Sequence, residues 1–222
     1  MSQVRLIAFT QPIELEGVQS GEELVAYCAR VSNPGNQANH ETAPRLLNYL
    51  TRNHHWSPFE MAHAVLEITT TRDIARQILR HRSFSFQEFS QRYAAVQDDA
   101  VIREARLQDA KNRQNSVEVD DAELQVWWQE KQQLIASQTQ LAYEAALERG
   151  IAKEVARAVL PEGLTPSRLY MAGPVRSWIH YIQLRAGNGT QKEHREVAVK
   201  CRDELLKVMP SLKEILDATQ DH

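Results

Sequence analysis

The stretch MAHAVLEITTTRDIARQILRHR, residues 61–82, changes its hydrophobic periodicity halfway along. Its first half is apolar and β-branched over a strand-sized span, which predicts a strand near residues 62–70. Its second half predicts a helix that starts near Thr71, because apolar side chains recur there on one helical stripe. That stripe consists of Ile74, Ala75, Ile78 and Leu79.

Upstream of this stretch, the sequence predicts one more strand and two helices. VRLIAFTQPIEL, residues 4–15, is typical of a short opening strand. SGEELVAYCARVS, residues 20–32, predicts a helix capped at Ser20 with Cys28 on its packed face. NHETAPRLLNYLTRNHH, residues 39–55, predicts an amphipathic helix that a following Ser-Pro pair ends.

Downstream, residues 95–120 are polar and poorly periodic, so we expect a long irregular connection there. Residues 120–150 predict a long helix with Asp120 or Asp121 as its N-cap. Three apolar side chains repeat every seven residues along it, a pattern that usually indicates contact with another helix. They are Trp127, Leu134 and Leu141.

The last third of the chain predicts three further helices. They cover residues 151–160, residues 173–187, and a final long helix that a capping box of Thr190 and Glu193 would open. The inner stripe expected for the final helix is Ala198, Cys201, Leu205 and Val208.

Composition limits the possible classes of protein. The 222 residues are 42% hydrophobic, enough for one sizeable core, and we expect a single domain over residues 1–222. With 26 basic and 29 acidic residues the formal net charge is −3, which argues against a nucleic-acid partner. Arginine nevertheless outnumbers lysine 19 to 7, and guanidinium groups suit phosphates and carboxylates.

We expect a cytoplasmic protein in a reducing compartment. Two cysteines are too few for a disulfide scaffold or a zinc cluster, and the start MSQVRLIAFTQPIELEG is unlike a signal peptide. No apolar run approaches the roughly 18 to 20 residues that span a bilayer, so no membrane role is expected. No GxGxxG follows a predicted strand, which argues against a Rossmann dinucleotide site.

The segment RHRSFSFQEFS, residues 80–90, combines positive charge with aromatic surface. Arg72, Arg76 and Arg80 recur at every fourth position, so we expect them to share one face of the preceding helix. Arg80 and Arg82 are close enough that an anion between them would relieve their repulsion. Alternatively they are solvated arginines at a helix end, where they also suit the helix dipole.

Residues 88–92 allow two interpretations. If they are extended, Glu88, Ser90 and Arg92 point the same way and can contact one bound molecule. If they are helical, Glu88 and Arg92 form an ion pair one turn apart. The neighbouring phenylalanines suit either the face of a bound ring or, more commonly at this density, the core. They are Phe84, Phe86 and Phe89.

Histidines cluster in HHWSPFEMAH, residues 54–63. His54, His55 and His63 near Glu60 raise the question of a metal, but their spacing is neither HExxH nor another recognised set. Hydrogen bonding to a polar ligand fits these residues better, and no metal is expected.

The predicted helix of residues 173–187 contains a third polar group. Arg176 and His180 lie one turn apart, and Arg185 falls at the helix end, before glycines that allow a ligand to approach the backbone. Neither cysteine lies among histidines and arginines, which argues against a thiolate nucleophile.

The order Arg80-His81-Arg82, seven residues, Ser90 resembles the signature of flavin-dependent thymidylate synthases, the folate-using enzymes that methylate dUMP without an active-site cysteine. Other segments resemble that family in the same order, from Ala29 to the last helix. They are ARVS at 29–32, HWSPFE at 55–60, EFSQR at 88–92, EVARAVLP at 154–161 and LRAGNGTQKEHRE at 184–196.

The resemblance implies an α+β fold with a central twisted antiparallel sheet packed by helices, some of them long. It also implies a homotetramer whose active sites are shared between chains. The implied reaction converts dUMP to dTMP with FAD as cofactor, NADPH as reductant and 5,10-methylenetetrahydrofolate as carbon donor. The FAD pyrophosphate would account for the arginines of residues 80–82.

Residue by residue, the resemblance implies contacts with both molecules. The implied FAD contacts are Ser32, His55, Ser57, Arg80, His81, Arg82 and Glu88, with Arg176 and His180 from a neighbouring chain. The implied dUMP contacts are Gln77, Ile78, Leu79, Arg80, Glu88, Phe89, Ser90, Gln91, Arg92, Arg157 and Arg185. Arg185 is the expected catalytic residue, because a cation beside N3 and O4 of uracil stabilises negative charge there and makes C5 more reactive. Ser90 is expected to hold the phosphate, since an alcohol nucleophile needs an adjacent base.

Two other classes remain as alternatives. An arginine-rich nucleic-acid binder would show an affinity that falls steeply with salt. A metal hydrolase built on His54, His55 and His63 would contain stoichiometric zinc.

Overall fold

Four strands form one antiparallel sheet in the computed structural model, which describes residues 2–96 and 99–217. The sheet strands are β1 (Gln3–Phe9), β2 (His63–Thr71), β3 (Ser85–Glu88) and β6 (Pro166–Pro174), in the spatial order β1-β2-β6-β3. Two short strands, β4 (Arg106–Gln108) and β5 (Ser116–Glu118), pair as a separate hairpin.

Helices pack around this sheet, so the expected α+β class is confirmed. They are α1 (Gly21–Ala29), α2 (Ala43–Arg52), α3 (Arg72–Ile78), α4 (Ala122–Glu148), α5 (Lys153–Ala156), α6 (Val175–Arg185), α7 (Lys192–Leu206) and α8 (Lys213–Asp217). Short 3-10 turns occur at Pro34–Asn36, Ser57–Glu60, Arg157–Val159 and Pro210–Leu212.

The hydrophobic core lies between one face of the sheet and helices that include α6 and α7. Ala64, Leu66 and Ile68 of β2 are fully buried, because side chains along a strand point alternately to its two faces. The Trp178 indole of α6 donates to the Ala64 carbonyl at 3.3 Å, which ties that helix to the central strand.

Two helix starts follow local capping chemistry. At α1, Glu23 N donates to Ser20 Oγ at 3.2 Å and Ser20 N donates to the Glu23 carboxylate at 2.9 Å, which confirms the predicted cap. At α4, Leu124 N donates to Asp121 Oδ1 at 3.0 Å, so Asp121 is the N-cap.

The capping box predicted at Thr190 and Glu193 is wrong. Helix α7 begins after Gln191, whose side chain makes no cap. Thr190 Oγ1 donates to the Leu184 carbonyl at 3.5 Å, and the Glu193 carboxylate accepts from Arg106 at 2.6 Å. The two side chains of the expected box therefore bond to other partners, Thr190 to the preceding helix end and Glu193 to a distant arginine.

Strand β6 has no counterpart in the sequence interpretation. Its side chains alternate between the two faces of the sheet, and Ser167, Leu169 and Met171 face the core. A proline at each end made this segment look unlike a strand in the sequence. The strand nevertheless pairs with β2 from Pro166 to Pro174 and lies in the middle of the sheet.

The three arginines expected on one face of α3 do not share it, because α3 ends before Arg80. Arg72 is buried, 3.7 Å from the Glu88 carboxylate, and Arg76 pairs with Glu162 at 3.2 Å. Arg80 lies in the turn that follows the helix.

The connection of residues 95–120 is not irregular throughout, since it contains the β4–β5 hairpin; residues 97 and 98 lie outside the described residues. The heptad stripe of the long helix α4 faces outward: Trp127 is 51%, Leu134 51% and Leu141 66% exposed. Among the described residues, no helix combines the length and apolar character needed to cross a membrane.

Candidate active site

The RHR sequence lies in a turn between α3 and β3, and several contacts fix that turn. The Phe84 ring packs 4.7 Å from the Trp178 ring, so its assignment to the core is confirmed. Gly173 permits this approach, because a Cβ there would lie 2.5 Å from Phe84 Cδ1. Ser177 Oγ also donates to the Ser83 carbonyl at 3.3 Å. The turn is therefore held against β6 and α6.

Within the turn, His81 faces the end of α6. Its Nε2 accepts a hydrogen bond from Arg185 Nε at 3.0 Å. An imidazole that accepts this bond is neutral and carries its proton on Nδ1. Burial and the charges of Arg185 and Arg80 lower the pKa of His81, which favours the same neutral form.

A buried chain of hydrogen bonds lies beside this pair. His194 is fully buried, with Nε2 3.1 Å from the Tyr181 hydroxyl and Nδ1 3.2 Å from Gln77 Oε1. The His81 ring meets the Tyr181 ring edge-on, with centroids 4.9 Å apart. We call these residues the interior cluster: Gln77, His81, Tyr181, Arg185 and His194.

Only one member of the interior cluster carries a formal charge near neutral pH. Burial, together with Arg185 and His81, lowers the pKa of His194 to about 3. Burial raises the pKa of Tyr181 well above its ordinary value. The cluster therefore surrounds the Arg185 guanidinium with neutral, hydrogen-bonded groups.

Arg80 and Arg82 flank His81 but point away from the interior, and both are exposed. In the part of the chain that the structure describes, neither forms an ion pair with a carboxylate. Two unpaired guanidinium groups next to an ordered turn suit a phosphate-bearing ligand.

Glu88 ends β3 next to the start of β6. Its carboxylate accepts from Ser167 Oγ at 2.8 Å and lies 3.7 Å from Arg72. The ion pair that a helix would form between Glu88 and Arg92 is therefore not made. Arg92 instead pairs with Glu154 at 3.3 Å.

Beyond Glu88 the chain turns, so residues 88–92 are extended only at their start. The Ser90 carbonyl accepts from Tyr93 N at 3.0 Å. Gln91 is buried, and its Nε2 has no hydrogen-bond partner among the described residues. Arg157 donates to the Glu154 carbonyl at 3.3 Å, which brings it to the residue that pairs with Arg92.

A further group of candidates lies next to the turn that precedes β2. Arg176 pairs with Glu60, and the His180 ring lies 4.8 Å from the Trp56 ring. Burial and the Arg176 charge lower the pKa of His180. His55, in the same turn region, is exposed.

The groups around Glu88 and Arg176 lie at opposite ends of β6. Ser167 contacts Glu88, and Pro174 immediately precedes Arg176. The seven residue-to-residue steps from Ser167 to Pro174 span about 24 Å at roughly 3.4 Å each. Within one chain, the candidate residues thus form separate groups and not a single site.

The remaining candidate residues differ in how far they are exposed to solvent. Ser32 and Ser57 lie on the surface, and Leu79 and Phe89 are half-buried. Ile78 is fully buried in the core, so the structure does not place its side chain at a ligand site. No group of three or more metal-ligating side chains occurs within residues 2–96 and 99–217, and this includes His54, His55 and His63.

Sequence reasoning missed Tyr181 and His194 as members of the site. The signal was present for His194, which lies on the inner stripe of α7, four residues before Ala198 and seven before Cys201. A histidine on an otherwise apolar stripe has to find buried polar partners. The sequence did not indicate which partners those are.

Fold and site together define an α+β enzyme with an arginine-rich anion site. Neutral, hydrogen-bonded groups of the interior cluster hold one of these arginines, Arg185, in place. Residues 14–211 match the family model described as "Thymidylate synthase complementing protein". The chain belongs to this family.

Two curated relatives cover almost the whole chain. A "Probable flavin-dependent thymidylate synthase" of Paramecium bursaria Chlorella virus 1 is 52% identical over 213 residues, covering 96% of this chain and 98% of the relative. A "Flavin-dependent thymidylate synthase" of Synechocystis sp. is 49% identical over 216 residues, covering 96% and 99%.

A solved structure is similar as well. The UMP/dUMP methylase PolB from Streptomyces cacaoi, bound with 5-Br dUMP, superposes with a TM-score of 0.81 at 28% sequence identity. The similarity covers 98% of this chain and 95% of that chain.

Proposed function

We propose that this chain, in the cytoplasm, catalyses the reductive methylation of dUMP to dTMP, with 5,10-methylenetetrahydrofolate as carbon donor and NADPH-reduced FAD as hydride donor. The observation that carries this proposal is the bond from Arg185 Nε to His81 Nε2 at 3.0 Å. It joins the family's RHR signature to the end of α6 and leaves the guanidinium NH groups of Arg185 available to a ligand.

The residues at the RHR turn fit FAD. Arg80 and Arg82 are exposed, lie on a turn that Phe84 anchors, and have charge available for a pyrophosphate. When bound, FAD supplies the hydride that completes the methyl group. Arg80, His81 and Arg82 bind and orient it, together with Ser32, His55 and Ser57, which face solvent.

Arg185 acts on the uracil ring of dUMP. Its guanidinium stabilises negative charge that develops at N3 and O4 while C5 attacks the one-carbon unit. A cation held by a neutral imidazole needs no reorganisation at that moment, because its orientation is set in advance. His81 accordingly holds Arg185 in place and takes no proton from the substrate.

Residues 88–92 and Arg157 hold the nucleotide part of dUMP. Arg92 contacts the Glu154 carboxylate and Arg157 contacts the Glu154 backbone carbonyl, so both guanidinium groups lie next to Glu154 and suit the phosphate. Gln91 supports this assignment, because a buried amide nitrogen without a partner is costly unless a ligand supplies an acceptor. Ser90 contributes a hydroxyl to the same phosphate.

The active enzyme is a homotetramer in which neighbouring chains complete each site. The about 24 Å along β6 between the groups of Glu88 and Arg176 supports this, because the Glu88 group of one chain and the Arg176 group of its neighbour can then form one compact site. The exposed apolar stripe of α4 supports it as well, since stripes of that size usually contact another protein surface.

Leu134→Asp on that stripe should lower the oligomeric mass measured by light scattering, whereas Gln133→Asp, on an exposed neighbouring position, should not. A tetramer that survives Leu134→Asp would exclude this face as the interface.

One spectrum tests the flavin part of the proposal. The purified protein should be yellow, bleach when NADPH is added without oxygen, and form dTMP only when dUMP and methylenetetrahydrofolate are both present. A colourless preparation that neither binds added FAD nor forms dTMP would overturn the assignment. Stoichiometric zinc would instead revive the metal-hydrolase alternative.

A further inference from the structure

The two ring nitrogens of His194 have different partners, and the hydrogen bonds around them have one consistent direction. Gln77 Nε2 donates to Gln191 Oε1 at 2.8 Å, so Gln77 Oε1 is the atom that faces His194 Nδ1 at 3.2 Å. An amide oxygen only accepts, and Nδ1 therefore carries the imidazole proton. His194 Nε2 then accepts from the Tyr181 hydroxyl at 3.1 Å.

This series of hydrogen bonds ends at a charged group, the Glu193 carboxylate. Gln191 Nε2 donates to the Glu193 carboxylate at 3.0 Å, and Arg106 donates to its other oxygen at 2.6 Å. From Tyr181 through His194, Gln77 and Gln191 to Glu193, each group donates one hydrogen bond to the next. The network is buried at Tyr181 and His194 and partly buried beyond them. It fixes the orientation of its members, because a rotation at the buried end leaves a buried polar group without a partner.

The network reaches Arg185 through a ring contact. The Tyr181 ring stands edge-on to the His81 ring at an interplanar angle of 87°. The His194 ring is also edge-on to His81, with centroids 6.3 Å apart. These two rings support the imidazole that accepts from Arg185 Nε. A shift of either ring moves that imidazole and changes the direction of the guanidinium.

We propose that His194 is a positioning residue for the methylation step: through Tyr181 and the His81 imidazole it fixes the direction in which Arg185 presents its guanidinium to the uracil ring, and through Gln77 it fixes the adjoining side of the dUMP site. His194 itself is fully buried and does not touch substrate. This inference rests on the proposed function only for its kinetic readout.

Three variants test it. His194→Leu removes both ring hydrogen bonds at similar volume. Tyr181→Phe removes the hydroxyl alone, and the double variant makes the pair apolar on both sides. Tyr143→Phe is the matched control, because Tyr143 is equally buried and its hydroxyl accepts from Val96 N at 3.3 Å in the smaller core cluster.

A positioning role separates activity from stability. The double variant should recover most of the thermal stability that His194→Leu loses, since removing both partners leaves fewer unpaired groups than removing one. Its kcat should nevertheless stay about 10- to 100-fold below wild type, because misplacement of a reacting group by about 1 Å has an effect of that size. Its KM for dUMP and its FAD content should be nearly unchanged. Tyr143→Phe should lower stability and leave kcat unchanged.

Crystal structures of wild type and the double variant give a readout that does not depend on turnover. Arg185 Nε should leave His81 Nε2 in the variant, whereas Tyr143→Phe should retain the bond. An unmoved Arg185, or a double variant with wild-type kcat, overturns the inference. If wild type forms no dTMP, the proposed function fails, and the position of Arg185 still decides the role of His194.

Discussion

His81 of the interior cluster and the exposed Arg80 and Arg82 belong to the same short signature, yet the fold directs them to opposite sides. His81 turns inward, and its ring contacts buried groups. Arg80 and Arg82, its immediate neighbours, face solvent. Contacts within the protein set the orientation of the interior cluster, whereas a bound anion has to set the orientation of Arg80 and Arg82. Substitutions should therefore alter turnover and stability in the interior, and ligand binding outside it.

The largest effect is expected at Arg185, the charged member of the interior cluster. Arg185→Ala should lower kcat by about 10²- to 10³-fold, because it removes a preorganised cation from the charge that develops on the uracil ring. Single-turnover formation of dTMP measures this directly. Arg185→Lys keeps the charge but loses the planar fork and should recover only part of the rate. Near-normal turnover of Arg185→Ala would remove Arg185 from the mechanism.

Among the exposed arginines, Arg80→Ala should weaken FAD binding by about 10- to 100-fold, the range expected for losing a charged hydrogen bond. The unfolding temperature of the flavin-free protein should not change, since the Arg80 side chain is exposed. Flavin absorbance during titration measures the binding. Arg45→Ala, another exposed arginine, is the control and should bind FAD normally. A yellow, active Arg80→Ala enzyme would contradict the assignment.

Acid should destabilise the interior more than the exterior. His194 stays neutral in the native state down to its pKa of about 3, whereas a histidine in the unfolded chain takes up a proton below about 6.5. The unfolded state thus binds the additional proton, and the free energy of unfolding falls as the pH is lowered from about 6.5 towards 3. The slope from this residue approaches about 1.4 kcal/mol per pH unit.

Urea unfolding of wild type and His194→Leu between pH 7 and pH 5 measures this contribution. The wild type should lose more stability than the variant over that range, because the variant has no histidine to protonate there. Equal losses in the two proteins would show that His194 is protonated in the native state.

The smallest effect is expected for the ion pair of Arg92 and Glu154, whose side chains are 59% and 53% exposed. Glu154→Gln should change the free energy of unfolding by less than about 1 kcal/mol, since solvent screens such pairs. It should also lower KM for dUMP, because Arg92 no longer divides its charge between Glu154 and the phosphate. A large loss of stability would mean that the pair is structural.

Two helices show how far periodicity alone reaches. The stripe of α7 is buried through Ala198, Cys201 and Leu205, whereas that of α4 leaves Leu134 and Leu141 at least half exposed. Both stripes predicted helices, and both helices exist. A repeat in the sequence shows which side of a helix is apolar. It does not show whether that side packs against the same chain or against another one.

Local chemistry was predictable, and chemistry between distant segments was not. Ser20 and Glu23 formed their capping box because both partners lie within one helical turn. Thr190 and Glu193 have the same spacing, but α7 begins after Gln191 and the distant Arg106 holds the Glu193 carboxylate. A local pattern is decisive only where no tertiary contact competes with it.

The sequence by itself determined the main helices, two of the three long sheet strands and, through its ordered motifs, the family to which the chain belongs. Short-range periodicity and motif spacing are properties of the chain and need no tertiary contact to be seen. The tertiary structure alone decided that Pro166–Pro174 is a central strand, that His81 faces inward between exposed arginines, and that His194 is buried beside the His81 ring. Each of these depends on partners a hundred or so residues away, and buried polar groups accept only positions where such partners satisfy their hydrogen bonds.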